Sequence, residues 1–171
     1  MAFPPVVFSI AAEKNLCMYS TLLFLHSALR WVFVVLLVVT LGRTYWGVLR
    51  GVAFQKMDRW LHVSAASAGH LQLLVGMILY FHSPFVEYFW LDPSVSDSNI
   101  QFLFFSVIHV VGMMIAMMMM SIGAVLSKRA IGQQQKFRAV ALYWSIALLL
   151  ILLLIPWPFS PWAYRPLWRG M

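Results

Sequence analysis

Four apolar stretches, each close to or beyond the length that crosses a bilayer, dominate this 171-residue chain. They run from about Met18 to Gly42, from Leu61 to Phe81, from Ile100 to Ser127 and from Ala139 to Trp157. At about 1.5 Å per residue a helix needs roughly 20 residues to cross ~30 Å of hydrocarbon. The third stretch is longer, so it is expected to tilt or protrude. Pro156 and Pro158, which lack an N–H, should close the fourth. The chain is 63% apolar and 10% charged, whereas soluble domains are roughly half apolar and a quarter charged. One domain of this size has too little interior to hide so much apolar surface from water. The expected fold is therefore an all-α integral membrane protein, one domain over residues 1–171, with lipid as its solvent.

The net charge of +7 resembles a nucleic-acid signal only until the basic residues are located. Arg43, Arg50, Lys56 and Arg59 lie between the first two stretches, with Asp58 as the only acid. Lys128, Arg129, Lys136 and Arg138 lie between the last two, with no acid. The middle connection has Glu87, Asp92 and Asp97 but no Lys or Arg, and the two ends hold only Lys14, Arg165 and Arg169. Basic loops stay on the cytoplasmic side, so both termini are expected outside, in an up-down-up-down bundle. The tail over 158–171, with Trp162 and Trp168 following Trp157, would then sit in the outer interfacial belt. Nucleic acid is not an expected partner.

Cys17 is the only cysteine, so neither an intrachain disulfide nor a CxxCH heme attachment is available. It reads as a small apolar residue near a helix start. The apolar run from Val6 to Ala12 is short, lacks a preceding basic region and meets Glu13 and Lys14. It is therefore expected to be retained at the interface rather than cleaved.

Ionisable residues within hydrocarbon are costly and are candidates for function. Here they are His26 and Arg30 on the first stretch, His70 on the second and His109 on the third. His62 and His82 fall at the ends of the second stretch, where water is expected close by. By helical rise, His26 lies ~24 Å from Gly42, His109 ~27 Å from Ser127 and His70 only ~15 Å from Trp60. His26 and His109 therefore stand at nearly one level on diagonal helices, as two axial ligands of one heme would have to, while His70 lies deeper. Gly112 and Met113 share the face of His109, and a small residue there admits either a porphyrin or a tightly packed helix. The methionines from Met113 to Met120 point all round their helix and read as apolar filling rather than a copper site. Arg30, one turn from His26, finds no acid in any of the four stretches. Its partner is expected to be a heme propionate, a lipid phosphate or an acid of another subunit, unless it snorkels to the interface. The histidines have a plainer reading too, as interhelical hydrogen-bond partners.

Several segments together resemble a family of small four-helix bacterial membrane proteins labelled "cytochrome B". They are His26, Arg30 and Trp31; His70, Gln72, Gly76 and Tyr80, followed by Ser83 and Pro84; His109, Gly112 and Met113, with Ser121 and Gly123; and Ile155 to Phe159. The resemblance covers about residues 20 to 160. It implies a multi-pass protein of the bacterial inner membrane, a b-type heme and electron transfer, with His26, His70 and His109 at the family's histidine positions. Three departures stand out: Ile108 where relatives often have an acid, Ala124 to Ser127 before the basic pair Lys128 and Arg129, and an extended Trp-rich tail.

Two functional expectations follow. One is an electron-transfer protein or subunit with one heme b between the first and third helices near the outer face, ligated by His26 and His109. It would exchange electrons with quinone or a respiratory complex, and His70 with Gln72 would line a quinone site or relay protons. The alternative is a heme-free accessory or assembly subunit of a larger membrane complex, docking through its basic loops and aromatic tail. Transport is disfavoured because paired intramembrane acids and discontinuous helices are missing from the sequence pattern. Hydrolase chemistry is disfavoured for want of a nucleophile motif or an HExxH zinc motif.

Overall fold

The computed structural model describes residues 5–163 and 165, with side chains from residue 17 onward. Its long elements are α1 (Pro5–Arg50), α2 (Lys56–Phe81), α6 (His109–Arg129) and α7 (Gln133–Leu154). Between α2 and α6 lie three short helices, α3 (Pro84–Leu91), α4 (Val95–Ser98) and α5 (Gln101–Leu103), and a π-helical turn over Phe104–Ile108. Among the described residues there are no strands, and four helical segments are long and apolar enough to cross a membrane: Cys17–Arg50, Lys56–Phe81, Gln101–Arg129 and Gln133–Leu154. Their outward faces carry Val35, Val39, Leu74, Ile115, Leu149 and Leu153, all exposed. Length and surface together suggest a multi-pass membrane protein.

Cross-helix contacts define the directions. Asp58 of α2 meets Arg43 of α1 while Gln72 meets His26, so these helices run antiparallel. Tyr80 reaches Ser106 while His70 reaches Ser121, so α2 and α6 are antiparallel too. Trp144 of α7 meets Met120 while His109 meets Leu154, giving a third antiparallel pair. Because α1 packs on α2 and α7, and α6 on the same two, α1 and α6 stand on a diagonal of the bundle.

The core between them holds Leu37, Ala65, Ala116, Met120, Trp144 and Ala147, all fully buried. Trp144 can sit there because its indole Nε1 donates to the Met120 carbonyl at 2.9 Å and because Gly123 leaves room for it. A Cβ at 123 would lie 2.9 Å from the Trp144 ring. The methionine run does point all round α6, with Met117 and Met120 buried and Met114 and Met118 exposed.

Helix ends differ from the apolar boundaries for identifiable reasons. α1 continues past Gly42 to Arg50, since polar residues propagate a helix as well as apolar ones do, and Gly51 at φ 65° ends it in the left-handed conformation glycine adopts without strain. α2 starts at Lys56 rather than Leu61. Asp58, buried, accepts from the Gln55 backbone N–H at 2.8 Å and from Arg43 at 2.7 Å, tying this start to α1. Ser83 followed by Pro84 starts the α3 helix, with proline at the position where a missing N–H costs nothing. The expectations for residues 6–12 at the interface and for the tail at 164 and 166–171 fall outside the described residues or their side chains.

Candidate functional site

Near the bundle end that holds the α2–α3 turn and the end of α7, a cavity of about 320 Å³ opens between the helices. His26 and Arg30 of α1, Gln72 of α2 and His109 at the start of α6 all line it, together with Arg165 from beyond α7. Apolar walls come from Phe33, Met117 and Ile151. No carboxylate lines it among the described residues.

His109 owes its position to two local events. The first is the π turn: the His109 N–H bonds the Phe104 carbonyl, five residues back, and such turns inside α-helices recur at functional sites. Tyr80 Oη donates to the Ser106 carbonyl of that turn at 3.1 Å and receives Trp90 Nε1 at 3.0 Å, so α2 and α3 both brace it. The second event is at the end of α7. The carbonyls of Leu152 and Leu154 would bond the N–H groups of residues 156 and 158, which are prolines. Trp157 Nε1 donates to the Leu152 carbonyl at 2.7 Å instead, and His109 Nδ1 meets the Leu154 carbonyl at 2.8 Å. A carbonyl only accepts, so the His109 Nδ1 carries the proton and a neutral ring keeps its lone pair on Nε2. That is the second-contact pattern of a metal-binding histidine.

His26 is held from α2. Gln72 Nε2 donates to the His26 carbonyl at 3.0 Å and lies 3.2 and 3.3 Å from its two ring nitrogens. Gly76 lets the ring lie close, since a Cβ there would stand 2.9 Å from His26 Cε1. The Gln72 Oε1 atom is buried without a hydrogen-bond partner, an acceptor facing the same surroundings. Arg30 bonds Ser27 Oγ at 3.4 Å and stacks on Trp31 at 5.3 Å, while Arg165 lies over Phe105 and Phe85 at 4.8 and 5.3 Å.

The structure thus brings His26, His109, Arg30 and Gln72 together and leaves two expected residues elsewhere. His70 is exposed on the far side of α2, with Nδ1 on the Ala66 carbonyl at 2.7 Å and Nε2 3.4 Å from Ser121 Oγ. Only two positions separate it from Gln72, and a helix turns by about 200° over two residues. The pair read as one quinone or proton-relay site does not share a site. Gly112 faces α7, where an added Cβ would collide with Leu154 Cδ1. Its smallness serves helix packing and so keeps the Leu154 carbonyl within reach of His109. His62, expected near water, is buried: α2 begins earlier than its apolar run, and the ring packs between Phe54 and Trp144 with Thr44 Oγ1 3.4 Å from Nε2. His82 is exposed at the end of α2, as expected.

The π turn and Arg165 escape sequence reading. No proline or glycine marks residues 104–108, and Arg165 reaches the cavity only because the chain folds back. Gln72 is legible as a lone amide in an apolar run, but the sequence pairs it with His70, whereas the structure pairs it with His26. No cluster of three or more His, Cys, Asp or Glu side chains occurs among the described residues, so a metal held here would draw on at most two side chains of those types. No protein-family model, curated protein or solved structure matches this chain.

Proposed function

We propose that this chain is a small b-type cytochrome of a bacterial cytoplasmic membrane, carrying one heme between α1 and α6 and acting as an electron-transfer protein or subunit. The observation that carries this reading is that two imidazoles from diagonal helices line one apolar cavity, which also receives two arginines and no carboxylate. That donor set fits the group in each part: nitrogen ligands for iron, cations for propionates, and apolar walls for the macrocycle. When bound, the heme supplies a one-electron couple.

The protein's own residues do the rest. His26 and His109 offer ring nitrogens, and the Leu154 carbonyl fixes the His109 tautomer. Gln72 holds the His26 backbone carbonyl, while its amide would have to leave the His26 ring nitrogens for iron to bind there. Arg30 and Arg165 offset anionic charge in a setting where an unpaired anion would be expensive. Phe33, Met117 and Ile151 exclude water and so tune the potential. The basic segments at 43–59 and 128–138 lie at the opposite bundle end; by the positive-inside rule that end is cytoplasmic and the cavity lies near the outer face. Quinol or a larger respiratory complex would be the electron donor or acceptor.

The test is an optical spectrum of the purified protein, oxidised and then dithionite-reduced. Sharp reduced bands of a six-coordinate b-type heme are expected, and His26→Leu or His109→Leu should each abolish them, with His70→Leu as the control that retains them. A protein that stays colourless after heme reconstitution overturns the cytochrome reading, and its co-purification with a larger complex would establish the accessory-subunit role instead.

A further inference from the structure

A second cavity, of about 470 Å³, lies at the other end of the bundle in the groove between α2 and α6, closed on one side by the start of α7. Arg59, Lys128 and Lys136 rim it, Val63, Ala66 and Val125 form its apolar wall, and Ser67 and Ser127 interrupt that wall. No acid lines it, and Arg43–Asp58 is the only ion pair among the described residues, so these three cations have no carboxylate partner there. Lys136 Nζ lies 5.6 Å from the Phe54 ring centroid. Along α2 the groove extends from Arg59 to His70, eleven residues or ~16 Å by helical rise. That is about the depth of one leaflet, half of a ~30 Å hydrocarbon core. At its deep end His70 has both nitrogens within hydrogen-bond distance of Ala66 and Ser121, so its ring is a wall rather than a group in need of a guest.

Cations concentrated at the mouth and a groove one leaflet deep, apolar along Val63, Ala66 and Val125, together suit an amphiphile with an anionic head. We infer that this groove is a binding site for an anionic phospholipid, its phosphate among Arg59, Lys128 and Lys136 and one acyl chain along Val63, Ala66 and Val125. Basic pockets between membrane helices hold lipid headgroups in this way. The inference rests on the membrane reading above but not on heme.

Native mass spectrometry of the full-length protein released from detergent tests it, with phosphatidylglycerol, phosphatidylcholine and inorganic phosphate as separate probes. Phosphatidylglycerol should be retained well above phosphatidylcholine, and millimolar phosphate should not displace it. Each cation is worth about fivefold in affinity, so Lys128→Gln with Lys136→Gln should weaken retention ~25-fold. Ala66→Leu, which fills the trough without changing charge, should weaken it as well. Arg129→Gln, exposed and outside the groove, should not. Equal retention of the two lipids overturns the inference, as does displacement by phosphate alone or an Ala66→Leu protein that binds normally. None of these readouts uses the heme absorbance, so the cofactor reading stands or falls separately.

Discussion

Gly76→Ala is the most direct probe of the candidate site. Its new methyl would sit 2.9 Å from His26 Cε1 and 3.4 Å from Nδ1. Carbon atoms in good contact are about 3.5–4.0 Å apart, so the ring must withdraw by roughly 0.6 Å or more. It cannot do so freely, because Gln72 Nε2 stands 3.2 and 3.3 Å from the two ring nitrogens. Overpacking of this kind costs about 1–3 kcal/mol. The ring borders a cavity and yields more easily than one locked in a core, which places the expected cost at about 1–1.5 kcal/mol. Gly42→Ala is the matched control, since nothing lies within 4 Å of the added methyl and removing a mid-helix glycine stabilises by roughly 0.5–1 kcal/mol. Gly76 lies inside α2 and gains the same helix propensity. Thermal unfolding of the apo-protein in one detergent should therefore show Gly76→Ala melting about 2–6 °C below Gly42→Ala, with Gly42→Ala at or above wild type. A heme titration on the same samples should show about a tenfold weaker affinity for Gly76→Ala alone, since returning the displaced ring against the new methyl is a further cost of ~1.4 kcal/mol incurred only on binding. Equal melting temperatures for Gly76→Ala and Gly42→Ala would refute the contact, and a lower one for Gly76→Ala with normal heme affinity would separate His26 from ligation.

Two further substitutions test the scaffold. Asp58→Ala removes the acceptor of the Arg43 guanidinium and of the Gln55 N–H. Loss of one member of a buried pair costs about 3–5 kcal/mol, but the Arg43 side chain is 30% exposed and regains water, so about 2–3 kcal/mol is expected in denaturant unfolding. A loss below 0.5 kcal/mol would mean that Asp58 does not tie α1 to α2. Trp144→Phe keeps most of a fully buried side chain and deletes its bond to Met120. About 1–2 kcal/mol should be lost by the same measurement, and a neutral result would show that the indole bond contributes nothing.

What the sequence makes legible is what depends on long runs. Four helices long and apolar enough to cross a membrane follow from apolar stretches near the bilayer length, and the shared placement of His26 and His109 follows from counting along them. What needs a single side chain's direction is not legible in the same way. His70 and Gln72 lie two residues apart in one apolar run, yet they point into different grooves. His62 reads as interfacial when α2 is started at its first apolar residue, Leu61, whereas the helix begins five residues sooner, at Lys56, with the buried Asp58 carboxylate in its first turn. The sequence leaves Gly112 open to either a porphyrin or a helix, and only the opposing Leu154 decides. Ser83 and Pro84 could have disclosed the helix over Pro84–Leu91, since that pairing is a helix-start signal. No proline or glycine within residues 104–108 announces the π turn, and the side chains that brace it, Tyr80 and Trp90, lie elsewhere in the chain.

The bond between His109 and the Leu154 carbonyl joins residues 45 positions apart, which has a consequence for biosynthesis. His26 and Gln72 can meet once the first two helices have been made. His109 emerges from the ribosome well before its acceptor exists, and that acceptor is left vacant only because a proline follows four residues later. The cavity is therefore completed last, by the end of the final helix and the Arg165 that follows it, and a nascent chain stalled before Leu154 would hold His109 with neither its anchor nor its tautomer set.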